Sequence, residues 1–217
     1  MKVTHEQDVM MSNLYIKEID RLLEIYPENL LLKAIQARFL ALKEDEESLK
    51  RGLQIINEAI EESPHYVDFL SMRSAIYVIQ KDFDNALHDL DIILDFTDYF
   101  PDPYYKKSYI YLSLKDYHKS LDNYILGVKA NFGYNSEYNK KLADVARALH
   151  REDDYIQPYL DLCQEDPSNM QYFANLASAY AHLGNKAKVL EVTDMILKAD
   201  KRYQKVVDDF LKQINYK

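Results

Sequence analysis

One cysteine, four glycines, six prolines and no tryptophan in 217 residues set limits before any motif is sought. A lone thiol, Cys163, closes no disulfide within the chain and has no second cysteine with which to build a zinc site, which fits a reducing compartment. Glycine and proline are too sparse to punctuate a β-rich fold, so helix is the expected state. The glycines at 52, 127, 133 and 184 are isolated from one another, and no glycine-rich loop is present to cradle a phosphate. The six histidines are scattered, without H-E-x-x-H spacing and without a Cys-His pairing around Cys163. The expectation is of no enzyme, no metal site and no cofactor. No apolar run approaches the roughly 18 residues of a membrane span, and Met1 to Glu6 lack the apolar core of a signal peptide. A soluble, cytoplasmic protein with no membrane partner is expected. Basic charge is also in deficit: 27 Lys and Arg stand against 36 Asp and Glu, a formal net charge of −9. That balance argues against nucleic acid, whose phosphates are held through Lys and Arg, and makes a basic or neutral partner electrostatically easier.

What the sequence does contain is repetition. "KDFDNAL" at 81–87 returns as "KDYHKSL" at 115–121, with Phe83 and Tyr117 separated by 34 residues. A fixed period of about 20–50 residues is the signature of a repeat array, in which one unit cannot bury its apolar face alone. Before the second copy, Tyr104, Lys107, Ser108 and Tyr111 share one helical face; after it, Leu121, Tyr124, Ile125 and Val128 do the same. Residues 102–131 therefore read as two amphipathic helices joined at "KDY", a helical hairpin.

The order large, small, aromatic, then small and aromatic in the second helix is met by Tyr104, Ser108, Tyr111, Ser120 and Tyr124. This resembles the tetratricopeptide repeat family. Leu70, Ser74, Tyr77, Ala86 and Leu90 fill the same slots one period earlier, and Phe173, Ala177, Tyr180 and the turn residue Gly184 two periods later. Between them, Asn139 takes a large slot and Tyr155 a small one, while Leu142, Ala143 and Tyr159 fit. Near the N-terminus Pro27 and Pro64 are one period plus three residues apart; the excess is placed in "KEDEES" (43–48), with Ala37 in the small slot and Gly52 on the second helix. "THEQ" (4–7) is a candidate capping box for an opening helix. The resemblance implies an all-α fold, a right-handed superhelical solenoid of such hairpins. It is laid out as a single domain over 1–217: an opening helix 4–27, repeats at about 28–64, 67–100, 101–134, 136–169 and 170–201, and a closing helix 203–216. Turns are expected near residues 45, 82, 116, 152 and 184.

Members of that family bind extended or helical peptides in a concave groove lined by first helices, which implies a protein-interaction scaffold or adaptor with a peptide partner. Helix register places Tyr105, Lys106 and Tyr109, then Lys140, Lys141, Asp144 and Arg147, then Asn175 and Ser178 beside the packing stripe. Together they would form an aromatic and cationic wall in an acidic chain. The bland alternatives are that the tyrosines pack under the rim and that the cations form a solvated face balanced by Glu137 and Asp144. The family's clamp for a terminal carboxylate does not carry over, because Ser71 and Ala75 stand where it needs Lys and Asn. Asp84, His88, Asp91 and Asp95 form one helical stripe that reads as a solvated face rather than a metal site. A second class of function is a structural subunit that self-assembles into a homo-oligomer through its terminal helices or convex face. The discriminating feature is the closing helix, with Val206, Val207, Phe210, Leu211 and Ile214 on it.

Overall fold

A computed structural model of the chain describes residues 2–96, 101–130 and 136–215, and among these it contains twelve α-helices, one 3-10 turn and no strand. The fold is all-α. The chain divides into two compact units, Met1–Asp98 and Tyr99–Lys217. The first holds α1 (Lys2–Ile25), α2 (Leu30–Ala41), α3 (Glu46–Glu62), α4 (Val67–Gln80) and α5 (Phe83–Phe96). The second holds α6 (Pro101–Ser113), α7 (Tyr117–Lys129), α8 (Ser136–Ala148), α9 (Glu152–Glu165), α10 (Met170–His182), α11 (Lys186–Ala199), the 3-10 turn Lys201–Tyr203 and α12 (Gln204–Gln213). In the first unit α2 pairs with α3 and α4 with α5, α2 lies on α4, and α1 covers α2. In the second, α6 pairs with α7, α8 with α9 and α10 with α11; α9 lies against α7 and α10 lies against α8. Each unit is thus a run of antiparallel hairpins, each leaning on the next. One expectation needs correcting: α1 already runs from Lys2, so the "THEQ" segment lies inside the helix and does not cap it.

The repeated "KD" has a local cause. In every hairpin the chain reverses through one residue with positive φ: Glu44 (59°), Lys81 (62°), Lys115 (62°), His150 (55°) and Gly184 (75°). In the last four, the next amide reaches back to close the finished helix, Asp82 N–H to Tyr77, Asp116 to Tyr111, Arg151 to Ala146 and Asn185 to Tyr180, at 2.8–2.9 Å. That next residue then opens the following helix. Asp82, Asp116 and Asn185 each accept from the amide three residues on, as Asp45 does in the first hairpin. A left-handed residue followed by an Asx cap is therefore both stop and start signal. Only the fourth turn lacks the side-chain cap, having Arg151 in that place.

The small residues set how closely paired helices approach. Ser74 donates its hydroxyl to the Ala86 carbonyl at 3.0 Å, and Ser108 and Ser120 exchange reciprocal bonds, Oγ to carbonyl, at 2.7 and 2.9 Å. Both contacts span twelve residues. The buried pairs Ala143 with Tyr155 and Ala177 with Val189 repeat that separation. In the first hairpin the close approach falls on Ala37 and Gly52, fifteen apart, as the three extra residues require. A Cβ on Gly52 would lie 2.8 Å from the Ala37 carbonyl oxygen, a backbone atom that yields only if α2 and α3 separate. Gly52→Ala is therefore expected to lower stability by about 1–3 kcal/mol through overpacking, although helix propensity alone favours alanine by about 1 kcal/mol. A melting temperature that rises in this variant would show that the helices are not in close contact there.

Candidate functional site: the tyrosine-lined face of the second unit

In the second unit α8 lies against α10, and α6 reaches α8 through aromatic rings. This sets the first helices of three successive hairpins side by side. Beneath them lies a cluster of tyrosines. Tyr124 on α7 stacks on Tyr155 of α9 at 5.5 Å, and its hydroxyl meets that of Tyr159 at 2.5 Å. Tyr155 donates its hydroxyl to the Asn139 carbonyl at 3.1 Å. A tyrosine in a slot that favours a small residue is thus accommodated because its polar end finds a backbone acceptor. Tyr124, Tyr155, Tyr159 and Asn139 are all buried, and burial drives the Tyr124 hydroxyl well above the usual tyrosine range, with the neighbouring Tyr159 adding to the effect. Tyr124 stays neutral, and the rings together serve as a floor.

On this floor the expected wall residues separate into three kinds. Tyr105 is largely interior: its ring lies over Gly127, so closely that a Cβ there would come within 2.5 Å of Cε2, and it meets Tyr124 edge-on at 5.6 Å. Burial raises its hydroxyl far above the ordinary value. Tyr109, one turn on, is 54% exposed. Its ring lies 6.5 Å from that of Tyr138, which also touches Tyr105 at 6.3 Å. Tyr138 donates to Ser108 Oγ at 2.6 Å and is pushed up to about 12 mainly by burial, so one side chain ties the exposed ring to the α6–α7 contact.

The cations are the second kind. Lys106 pairs with Asp102 at 2.6 Å on α6, and Arg147 pairs with Asp144 on α8. Lys140 and Lys141 are exposed on α8. Lys140 and Asp144 both act on His182 of α10, whose pKa is lowered first by burial and then by Lys140. Asn175 and Ser178 on α10 are turned to their own helix: Asn175 Oδ1 accepts from Gln171 Nε2 at 2.9 Å, and Ser178 donates to the Ala174 carbonyl at 2.9 Å. Ser178 belongs instead to a recess beside α12.

Two polar centres are not found by reading the repeat alone. Tyr138 is hidden among 19 tyrosines, its only signal being its place beside the stripe residue Asn139. In the first unit, Arg73 of α4 clamps the carboxylate of Asp89 on α5 with Nε at 2.9 Å and Nη2 at 2.6 Å, while Nη1 donates to Asn57 Oδ1 at 2.8 Å. Asp89 is 1% exposed. The neighbouring Asp84, His88, Asp91 and Asp95 are exposed. Among the described residues no cluster of three or more His, Cys, Asp and Glu side chains is placed to hold a metal ion. Cys163 is buried, and burial pushes its thiol up to about 11, which keeps it protonated and unreactive at neutral pH. Among the described residues no helix is long and apolar enough to cross a membrane.

No protein-family model matches the chain, and no curated relative matches it. Solved structures do resemble it. YrrB, a TPR protein with an unusual peptide-binding site, is 17% identical with a TM-score of 0.48, covering 90% of this chain and 97% of its own. A tetratricopeptide repeat protein from Parabacteroides merdae ATCC 43184 is 15% identical with a TM-score of 0.47, covering 90% and 79% respectively. MamA is 14% identical with a TM-score of 0.45, covering 80% and 94%. The repeat is visible in the chain's own geometry: five hairpins, each reversed by one left-handed residue, the first three pinned by a close contact between small slots. This chain is built from tetratricopeptide-like helical hairpins.

Proposed function

We propose that the chain is a non-catalytic protein-interaction module that holds a peptide segment of its partner across α6, α8 and α10. The observation that carries this reading is Tyr109: a large amphipathic ring, more than half exposed, held beside Tyr138 over a buried floor. An aromatic ordered before binding adds contact area at low entropic cost, and Tyr and Arg dominate the energy of most interfaces. Lys106, Lys140, Lys141 and Arg147 stand on the same two helices, so an acidic or aromatic-bearing segment suits this wall although the chain as a whole is acidic. Tyr105 acts from beneath as support, and a contact with Asn175 would have to displace the bond from Gln171.

Panning a random peptide library on the immobilised chain tests the reading. Acidic segments containing an aromatic residue are expected, and Tyr109→Ala should weaken them by about 1–3 kcal/mol with folding unchanged. The same truncation at Asp91, exposed on α5, should have no effect. Added salt should remove the contribution of Lys141 and Arg147 and spare that of Tyr109. Peptides that bind equally well to a Tyr109→Ala, Lys141→Ala double variant would refute this site.

A further inference from the structure

At the C-terminal end of the second unit, α10, α11 and α12 enclose a recess of about 490 Å³. Its apolar walls are Ala174 and Ala177 of α10, Ile196 of α11, and Val207 and Phe210 of α12. Tyr203 and Val206 also line it and are themselves exposed, Val206 at 63%, so they mark the mouth. In a chain in which 29% of residues are charged, the described residues of this lining include no Asp, Glu, Lys, Arg or His. Each of these polar side chains on the wall already makes one hydrogen bond within the chain: Ser168 with Asp166, Asn169 with the Gln171 amide, Gln171 with Asn175, Ser178 with Ala174 and Thr193 with Val189. A charged ligand would lose its water here and gain no opposite charge, at a large cost. An apolar body loses nothing polar, and the volume lies within the roughly 300–1,000 Å³ of small-molecule sites. Tyr203, in the turn before α12, sets its phenol at the mouth.

We propose that this recess binds a small uncharged amphiphile, an aliphatic or aromatic body carrying one neutral oxygen, with the body against Ala174, Ile196, Val207 and Phe210 and the oxygen at Tyr203. This goes beyond the peptide-binding reading and does not depend on it. The walls belong to α10, α11 and α12, whereas Tyr109 and Lys141 belong to α6 and α8.

The test uses the full chain and the neutral dye Nile red, with decanol and decanoate as competitors at about pH 8, where the carboxylate is ionised. Saturable fluorescence is expected, with decanol displacing the dye at a concentration at least about tenfold below that of decanoate. Val206→Glu at the mouth and Ala174→Phe on the wall should each weaken dye binding by at least about tenfold with helical content unchanged. Tyr109→Ala should leave dye binding as it was. If Ala174→Phe disturbs folding, Val206→Glu decides alone, since that side chain already faces water. Dye binding that does not saturate, decanoate that competes as well as decanol, or both variants binding like the wild type overturns the proposal. So does a wild-type dimer in light scattering that Val206→Glu converts to monomer, because a second copy then fills the recess. A panned peptide that displaces the dye and is lost in Ala174→Phe overturns it equally.

Discussion

Asp89→Ala is expected to destabilise the first unit by about 3–5 kcal/mol, because it leaves the Arg73 guanidinium partly buried without its counter-charge. The loss is not the value of one ion pair. Arg73 spends Nε and Nη2 on Asp89 and Nη1 on Asn57, so removing the carboxylate strands two donors in a site that admits little water. A surface pair such as Lys198 with Asp194 is worth far less, since both partners remain solvated when parted. Asp89→Leu combined with Arg73→Met should recover most of the loss, because an apolar pair of similar volume neither demands solvation nor leaves a charge behind. Urea denaturation of the wild type, the single variant and the double variant checks this. Should the single and double variants lose the same amount, the cost lies in packing volume and the ionic account is wrong.

Ser108→Leu is expected to cost about 2–6 kcal/mol, the sum of overpacking between α6 and α7 and the loss of a buried hydroxyl partner. Ser108 is wholly buried. Its Oγ donates to the Ser120 carbonyl and accepts from Tyr138, so a leucine both forces the helices apart and removes the anchor of Tyr138. Ser108→Ala separates the two causes, since it keeps the spacing and loses only the hydrogen bonds. It should cost about 1–3 kcal/mol. Equal losses for alanine and leucine in thermal melts would show that α6 and α7 have room to spare. Through Tyr138 the change should also reach Tyr109, and peptide capture by Ser108→Ala, measured where the protein is folded, should fall even though Ser108 touches no partner.

How much of this was legible differs from residue to residue. Ser74, Ser108 and Ala177 are where the repeat pattern puts small residues, and each is buried at a helix–helix contact. The turns at Lys81, Lys115 and Gly184 follow the same rule, because a left-handed residue followed by an Asx cap acts within a few residues of chain. Asp89 was not legible as a buried group. It sits among Asp84, Asp91 and Asp95 with the same chemistry, and only Arg73, sixteen residues away on another helix, makes its burial possible. Nor was the division of labour between Tyr105 and Tyr109. Both are tyrosines of α6, four residues apart; Tyr105 rests over a glycine of α7 and enters the core, whereas Tyr109 meets Tyr138 and stays exposed.

By itself, then, the sequence determined the repeating unit: helix, reversal, helix, and the close contact that spaces them. These depend on periodicity, capping and side-chain size, which act within one hairpin. Tertiary structure decided which polar and aromatic side chains became floor, clamp or exposed wall. Burial and hydrogen-bond satisfaction are properties of neighbours, and for Asp89, Tyr105, Tyr138 and the recess beside α12 the decisive neighbours come from a different helix.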